Sequence, residues 1–169
     1  MEEAKPLSKG YQVINLFAQK VRKETTINTI FSVDSIIRAM GGMIKEVSSN
    51  EYDKSKFVRI FDENNFDVTI LNGLDNKFKR LLLIQALGHY MIHGDSGKNL
   101  CCINSASKNE VSLEGFWFAL SLLIPDEQFI NLQNKFNDVY LANLFRVPEF
   151  AIDAKRKIMK QVYFDKESI

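Results

Sequence analysis

The fold depends most on one stretch, "RLLLIQALGHYMIHGD", which runs from Arg80 to Asp95. It is apolar almost all the way round, and this pattern predicts a helix buried in the core. Three polar side chains interrupt it at i, i+4 and i+8, namely Gln85, His89 and His93. They include both histidines of the chain. A polar stripe on a buried helix indicates either a functional site or a set of buried hydrogen bonds.

The composition is that of an ordinary globular protein, with 169 residues, 46% of them hydrophobic and 25% charged. This length fits one domain with a substantial core. A formal net charge of +1 favours neither a nucleic-acid partner nor an anionic membrane. No apolar run reaches about 18 residues, and the N-terminus lacks the pattern of a secretory signal. We therefore expect a cytoplasmic protein with no membrane partner, in which the adjacent Cys101 and Cys102 are free thiols.

The first half of the chain predicts a helix, a second short helix and then three strands. Residues 1–9 are expected to be a flexible tail and residues 10–169 a single domain. The first helix should use the apolar face formed by Val13, Leu16, Phe17 and Val21. Strand patterns follow near residues 43, 57 and 66, and the turn "ENN" predicts a hairpin between the last two. The prediction is an α+β fold, mostly helical, with a small three-stranded antiparallel sheet packed on the buried helix.

After residue 72 the pattern is helical to the end. The last part of this pattern is a candidate DNA-binding element. Residues 138–162 resemble a helix-turn-helix, and four basic residues follow in the second helix: Lys155, Arg156, Lys157 and Lys160. They could contact DNA, or they could form the solvated basic end of a helix, where positive charge is favourable. The low net charge favours the second reading.

The central helix is close to a zinc-peptidase motif. That chemistry needs two histidines one helical turn apart, so that both reach one metal, and a glutamate beside the first as general base. In the window "QALGH", His89 occupies the position of the second histidine. Gln85 stands at the first ligand position and Ala86 at that of the base. His89 and His93 also have i, i+4 spacing, but no carboxylate lies between them.

Four blocks in order give the chain a family resemblance. They are "FSVDSIIRAMGGMIKEV", "VTILNGLDNKFKRLLLIQALGHYMIHG", "LEGFWFALSLLIP" and "DVYLANLFRVPEFAIDAKRKI". Together they resemble the ImmA/IrrE metallopeptidases, which implies a zincin-like fold. Members are cytoplasmic proteins of phages, mobile elements and stress operons, and many act on a helix-turn-helix repressor. The resemblance makes Glu114 the candidate third ligand, with Glu110 as the alternative.

The departures from the family pattern decide the functional expectation. Glutamine rarely replaces imidazole on zinc, and Ala86 cannot accept a proton. We expect a catalytically degenerate pseudo-peptidase, without a required cofactor, that regulates a repressor, a phage protein or a host protein by binding it. Zinc, if any, would use Gln85, His89 and Glu114, and the partner groove would add His93 and Phe116. The alternatives are an active zinc endopeptidase that cleaves a repressor and, less favoured, a DNA-binding protein. The sequence does not indicate an oligomeric state.

Overall fold

The computed structural model describes residues 4–24, 33–93, 99–100 and 110–164. Its seven described helices are α1 (Ala4–Glu24), α2 (Val33–Ala39), α3 (Asn76–His93), α4 (Glu110–Leu123), α5 (Asp126–Leu132), α6 (Asp138–Phe145) and α7 (Glu149–Met159). The described strands are β1 (Gly42–Val47), β2 (Val58–Asp62), β3 (Asn65–Leu71) and β4 (Asn99–Leu100). A 3₁₀ turn at Lys54–Lys56 precedes β2, and a π-helical turn at Lys160–Phe164 follows α7. The predicted α+β class is confirmed.

The sheet is mixed, so the prediction of a purely antiparallel sheet is wrong. Its strand order is β1-β3-β2-β4. The predicted hairpin is present, because β2 pairs antiparallel with β3. However, β1 pairs parallel with β3, with Ile44 opposite Val68. The prediction failed because strand patterns identify strands but not their neighbours: the chain passes from β1 to β2 and places β3 between them.

The central strand and the central helix form the core of the domain. Every second residue of β3 is fully buried, at Phe66, Val68 and Ile70, as expected for a strand with one face on the core. On α3, all residues from Leu81 to Tyr90 are buried. The continuous apolar run of the sequence therefore indicates a helix covered on all sides, as predicted.

Helix α1 begins earlier and turns a different face to the core than the sequence suggested. It starts at Ala4, inside the segment expected to be a tail; its Pro6 lies in the first turn, where proline is tolerated. The buried face is formed by Tyr11, Ile14, Ala18 and Val21. Val13 and Leu16, which were expected to face the core, are 67% and 70% exposed.

A buried polar network fixes α1 to the C-terminal helices. The Lys155 side chain of α7 is fully buried, and its Nζ donates to Oδ1 of Asp126 at 2.5 Å and to the hydroxyl of Tyr11 at 2.6 Å. The Tyr11 hydroxyl donates to Asp126 at 2.8 Å, and the amide of Asn15 donates to the same carboxylate at 3.2 Å. The hydroxyl of Tyr163 donates to Oδ2 of Asp126 at 2.9 Å. One carboxylate thus joins four helical segments of the chain.

Burial changes the protonation equilibria in this network. Desolvation lowers the pKa of Lys155 to about 8, although the adjacent Asp126 carboxylate opposes the change. Desolvation also raises the pKa of Tyr163 to about 12, and it raises that of Tyr11. The two phenols therefore stay protonated, as hydrogen-bond donors, across the neutral range.

Candidate functional site

The four positions of the motif lie on α3, and most of them are inside the protein. Gln85 is 1% exposed, and Ala86 and His89 are 0% exposed. His93, at the C-terminal end of the helix, is partly exposed. Helix α3 is held in place at its other end by Arg80, whose guanidinium donates to the carbonyl of Phe145 at 3.1 Å. That carbonyl is at the C-terminal end of α6, where a positive charge is favourable.

Two glycines allow α3 and α4 to approach closely at the site. A Cβ atom on Gly88 would lie 2.6 Å from the ring of Phe118. A Cβ atom on Gly115 would lie 2.6 Å from Nε2 of His89. Both distances are well inside van der Waals contact, so each helix needs glycine where the other helix's ring touches it. The imidazole of His89 is consequently packed against the backbone of α4.

Glu114 contacts His93. The sequence had predicted that Glu114 would instead lie beside His89. Nε2 of His93 and Oε2 of Glu114 are 2.6 Å apart, an ion-pair distance, although the two atoms do not meet the angles of a hydrogen bond. The reason is the register of the two helices. Gly115 faces His89, so the preceding residue Glu114 lies toward the next turn of α3. The alternative ligand Glu110 begins α4, but its side chain lies outside the described residues, as do Cys101 and Cys102.

His89 is a neutral imidazole in an apolar environment. Desolvation by burial, together with the nearby His93, lowers its pKa to about 4. Its ring centroid lies 6.4 Å from that of Phe57 in an edge-to-face arrangement. Neither ring nitrogen, nor the Nε2 atom of Gln85, has a hydrogen-bond partner within the described part of the protein. Buried polar atoms without partners are costly, which marks this stripe as unusual for a purely structural core.

A predominantly apolar cavity of about 570 Å³ adjoins the ion pair. Its described lining comes from α1, from the last turn of α3 and from the start of α4: Gly10, Val13, Ile14, Phe17, Met91, Ile92 and Glu114. The sequence did not predict this cavity, because its pattern placed Val13 in the core. The available signal was the excess of apolar residues on α1, which covers more than one face of the helix.

The predicted groove residues differ in accessibility. Gln85, His89 and Phe116 are buried, whereas His93 and Glu114 reach the surface. A partner that binds the surface as described would touch only the latter two.

The proposed DNA contact through Lys155 is wrong, because that side chain is fully buried. In the same helix Arg156 pairs with Asp138 at 2.7 Å and Lys157 with Asp153 at 2.7 Å. Two of the remaining three basic residues therefore have acidic partners within the protein.

Comparison with known families gives a match to the peptidase family described as the IrrE N-terminal-like domain, over residues 58–157, more than half of the chain. The chain belongs to this family. The matched segment of this IrrE-like protein contains β2, β3 and β4, α3 to α6, and most of α7, whereas α1, α2 and β1 precede it. No curated protein and no solved structure matches the chain. Across the parts that the structure describes, no helix is long and apolar enough to cross a membrane.

Peptidases of this family are typically zinc-dependent, but the residues of the site do not fit a catalytic zinc. Gln85 offers a neutral amide, and the imidazole of His89 packs against the backbone of Gly115, where a Cβ atom would lie 2.6 Å from Nε2 and 2.7 Å from two ring carbons. Glu114 is engaged by His93. Within residues 33–93 and the other described ranges, no three His, Cys, Asp or Glu side chains lie together as ligands of one ion.

Proposed function

We propose that this IrrE-like protein is a pseudo-peptidase that binds a protein partner and leaves it intact. The observation that carries the proposal is the methyl group of Ala86, which is completely buried at the position where the family resemblance puts the general base. A methyl group can neither accept nor deliver a proton, so water at this site would not be activated in the family's manner.

The surroundings of Ala86 support the same conclusion. Gln85, one residue earlier, replaces an imidazole by a weak neutral ligand. The low pKa of His89 keeps its ring neutral, but the ring packs against α4 instead of facing an open site. Binding a partner needs shape and a few well-packed contacts, so it can persist after loss of catalysis. The proposed role is that of a cytoplasmic regulator in a phage, mobile-element or stress context, with a repressor, phage protein or host protein as partner.

The test is whether the partner remains whole. The tagged protein is used to isolate its partner from the native host, and the purified partner is incubated with it with and without a chelator. Mass spectrometry should find the partner at full length under both conditions. Chelator-sensitive cleavage that is also lost in a His89→Ala variant would show an active endopeptidase and overturn the proposal. Glu127→Gln, on the exposed side of α5, serves as a control for effects of substitution alone.

A further inference from the structure

We propose that the cavity between α1 and the ends of α3 and α4 is the anchor site for the partner, and that it receives a lysine side chain within an apolar segment. This inference rests on the proposed function, because it names the chemistry that the partner would present. The cavity volume of about 570 Å³ exceeds the volume of one side chain, so the cavity accommodates a lysine together with apolar neighbours.

The chemistry of the lining determines the ligand. Among the described residues that line the cavity, Glu114 alone is ionisable. Its side chain is 30% exposed and therefore accessible from the cavity. Aliphatic and aromatic walls from Val13, Phe17 and Met91 suit the methylene stem of a long side chain. A cationic tip at the end of that stem would meet the Oε1 atom of the carboxylate, since Oε2 already lies 2.6 Å from Nε2 of His93.

The apolar surface continues beyond the cavity along α1. Val13 lines the cavity and is 67% exposed, and Leu16, nearly one turn later, is 70% exposed. Helix α1 precedes the family-matched segment, so this wall lies outside the residues that the family model matches. The network of Tyr11 and Asn15 with Asp126 holds the helix against the domain and keeps the wall in position. The preferred partner segment is thus apolar with a basic residue, not acidic.

The experiment uses three synthetic decapeptides, identical except at one central position that carries lysine, norleucine or glutamate between leucines. Binding to the full chain is followed by the fluorescence of Trp117, the only tryptophan. Its ring is close to the cavity, since a Cβ atom on Gly10 would lie 3.4 Å from it. We expect the lysine peptide to bind about tenfold more tightly than the norleucine peptide, which keeps the stem but loses the charge. The glutamate peptide should bind most weakly.

Two pairs of variants locate the effect. Glu114→Gln should remove the preference for lysine, whereas Glu127→Gln on the exposed side of α5 should keep it. Val13→Lys should weaken binding of the lysine peptide about tenfold, because it puts a like charge at the cavity. Val139→Lys makes the same substitution at a 52% exposed position of α6, outside the lining, and should change binding less than about twofold.

Equal binding of the lysine and norleucine peptides would overturn the inference, as would no binding of either peptide or a lysine preference that survives Glu114→Gln. None of these results bears on whether the natural partner is cut. The proposed function fails only if the partner is cleaved, so the two failures are distinguishable.

Discussion

Replacing Asp126 by asparagine should destabilise the protein strongly at neutral pH. The substitution keeps the shape and one acceptor, but it leaves the ammonium of Lys155, 0% exposed, without its counter-charge. Removing one partner of a buried ion pair costs about 3–5 kcal/mol. The folded protein can limit the loss by releasing the lysine proton. In the native protein, where the pKa of Lys155 is already lowered to about 8, this release costs about 1.4 kcal/mol at pH 7. We expect a loss at the lower end of this range, near 3 kcal/mol, out of a total of about 5–15 kcal/mol for a domain.

The stability lost in Asp126→Asn should decrease as the pH rises. In Asp126→Asn the unfolded chain holds the lysine proton up to pH 10.5, whereas the folded chain has already lost it. Below about pH 8 the folded native protein keeps this proton and the folded variant does not, so the stability of the variant relative to the native protein rises with pH up to about pH 8. The deficit should be about 1.4 kcal/mol smaller at pH 9 than at pH 7 and should then stay constant. Urea denaturation followed by Trp117 fluorescence measures the effect.

A double variant and a surface control make the test decisive. Asp126→Asn combined with Lys155→Met removes both charges and should recover most of the lost stability. Asp153→Asn makes the same substitution beside Lys157 on the same helix, where the side chains are 58% and 72% exposed. Its effect should be below about 1 kcal/mol. Equal effects of Asp126→Asn and Asp153→Asn at pH 7, or a double variant no more stable than Asp126→Asn, would refute the reasoning.

Three further measurements follow from the site. Because the pKa of His89 is lowered to about 4 in the folded protein, the unfolded state binds more protons between pH 4 and 6.5. The free energy of unfolding should therefore fall on acidification by up to about 1.4 kcal/mol per pH unit. His89→Leu should flatten this slope in urea titrations, and an unchanged slope would argue against a buried neutral imidazole. Gly115→Ala should lower the melting temperature, since its Cβ would lie 2.6 Å from His89. Gly10→Ala should raise the melting temperature by improving helix propensity. A change of the melting temperature in the same direction for both variants would contradict the packing described. Elemental analysis of the purified protein should find far less than one zinc per chain, and a tightly held equivalent would make Gln85, His89 and Glu114 ligands.

The sequence predicted the central parts of the fold well because their signals are local. The apolar run before His89 identified the buried helix, and the turn "ENN" identified the hairpin. The strand partner of β1 could not be predicted, since the burial pattern of a strand is the same whether its neighbour is parallel or antiparallel. Similarly, α1 carries more apolar residues than one face needs, and only the position of α4 shows which of them are covered.

The sequence predicted which helix carries the polar stripe but not the contacts of its side chains. Spacing placed Gln85, His89 and His93 on one side of α3, which the structure retains. It did not indicate the register of α4, so it paired Glu114 with His89 instead of His93. That register depends on Gly88 and Gly115, whose importance appears only when the two helices are brought together.

The hydrogen bond between Tyr11 and Lys155 also has an evolutionary consequence. Lys155 lies inside the segment shared with the family, whereas Tyr11 belongs to the helix that precedes it. A buried lysine is tolerable only where its donors find acceptors, so neither position can vary freely while the other stays constant. Across relatives, substitutions at the two positions should therefore be correlated. Chains that lack α1 should carry an apolar residue where this protein has Lys155.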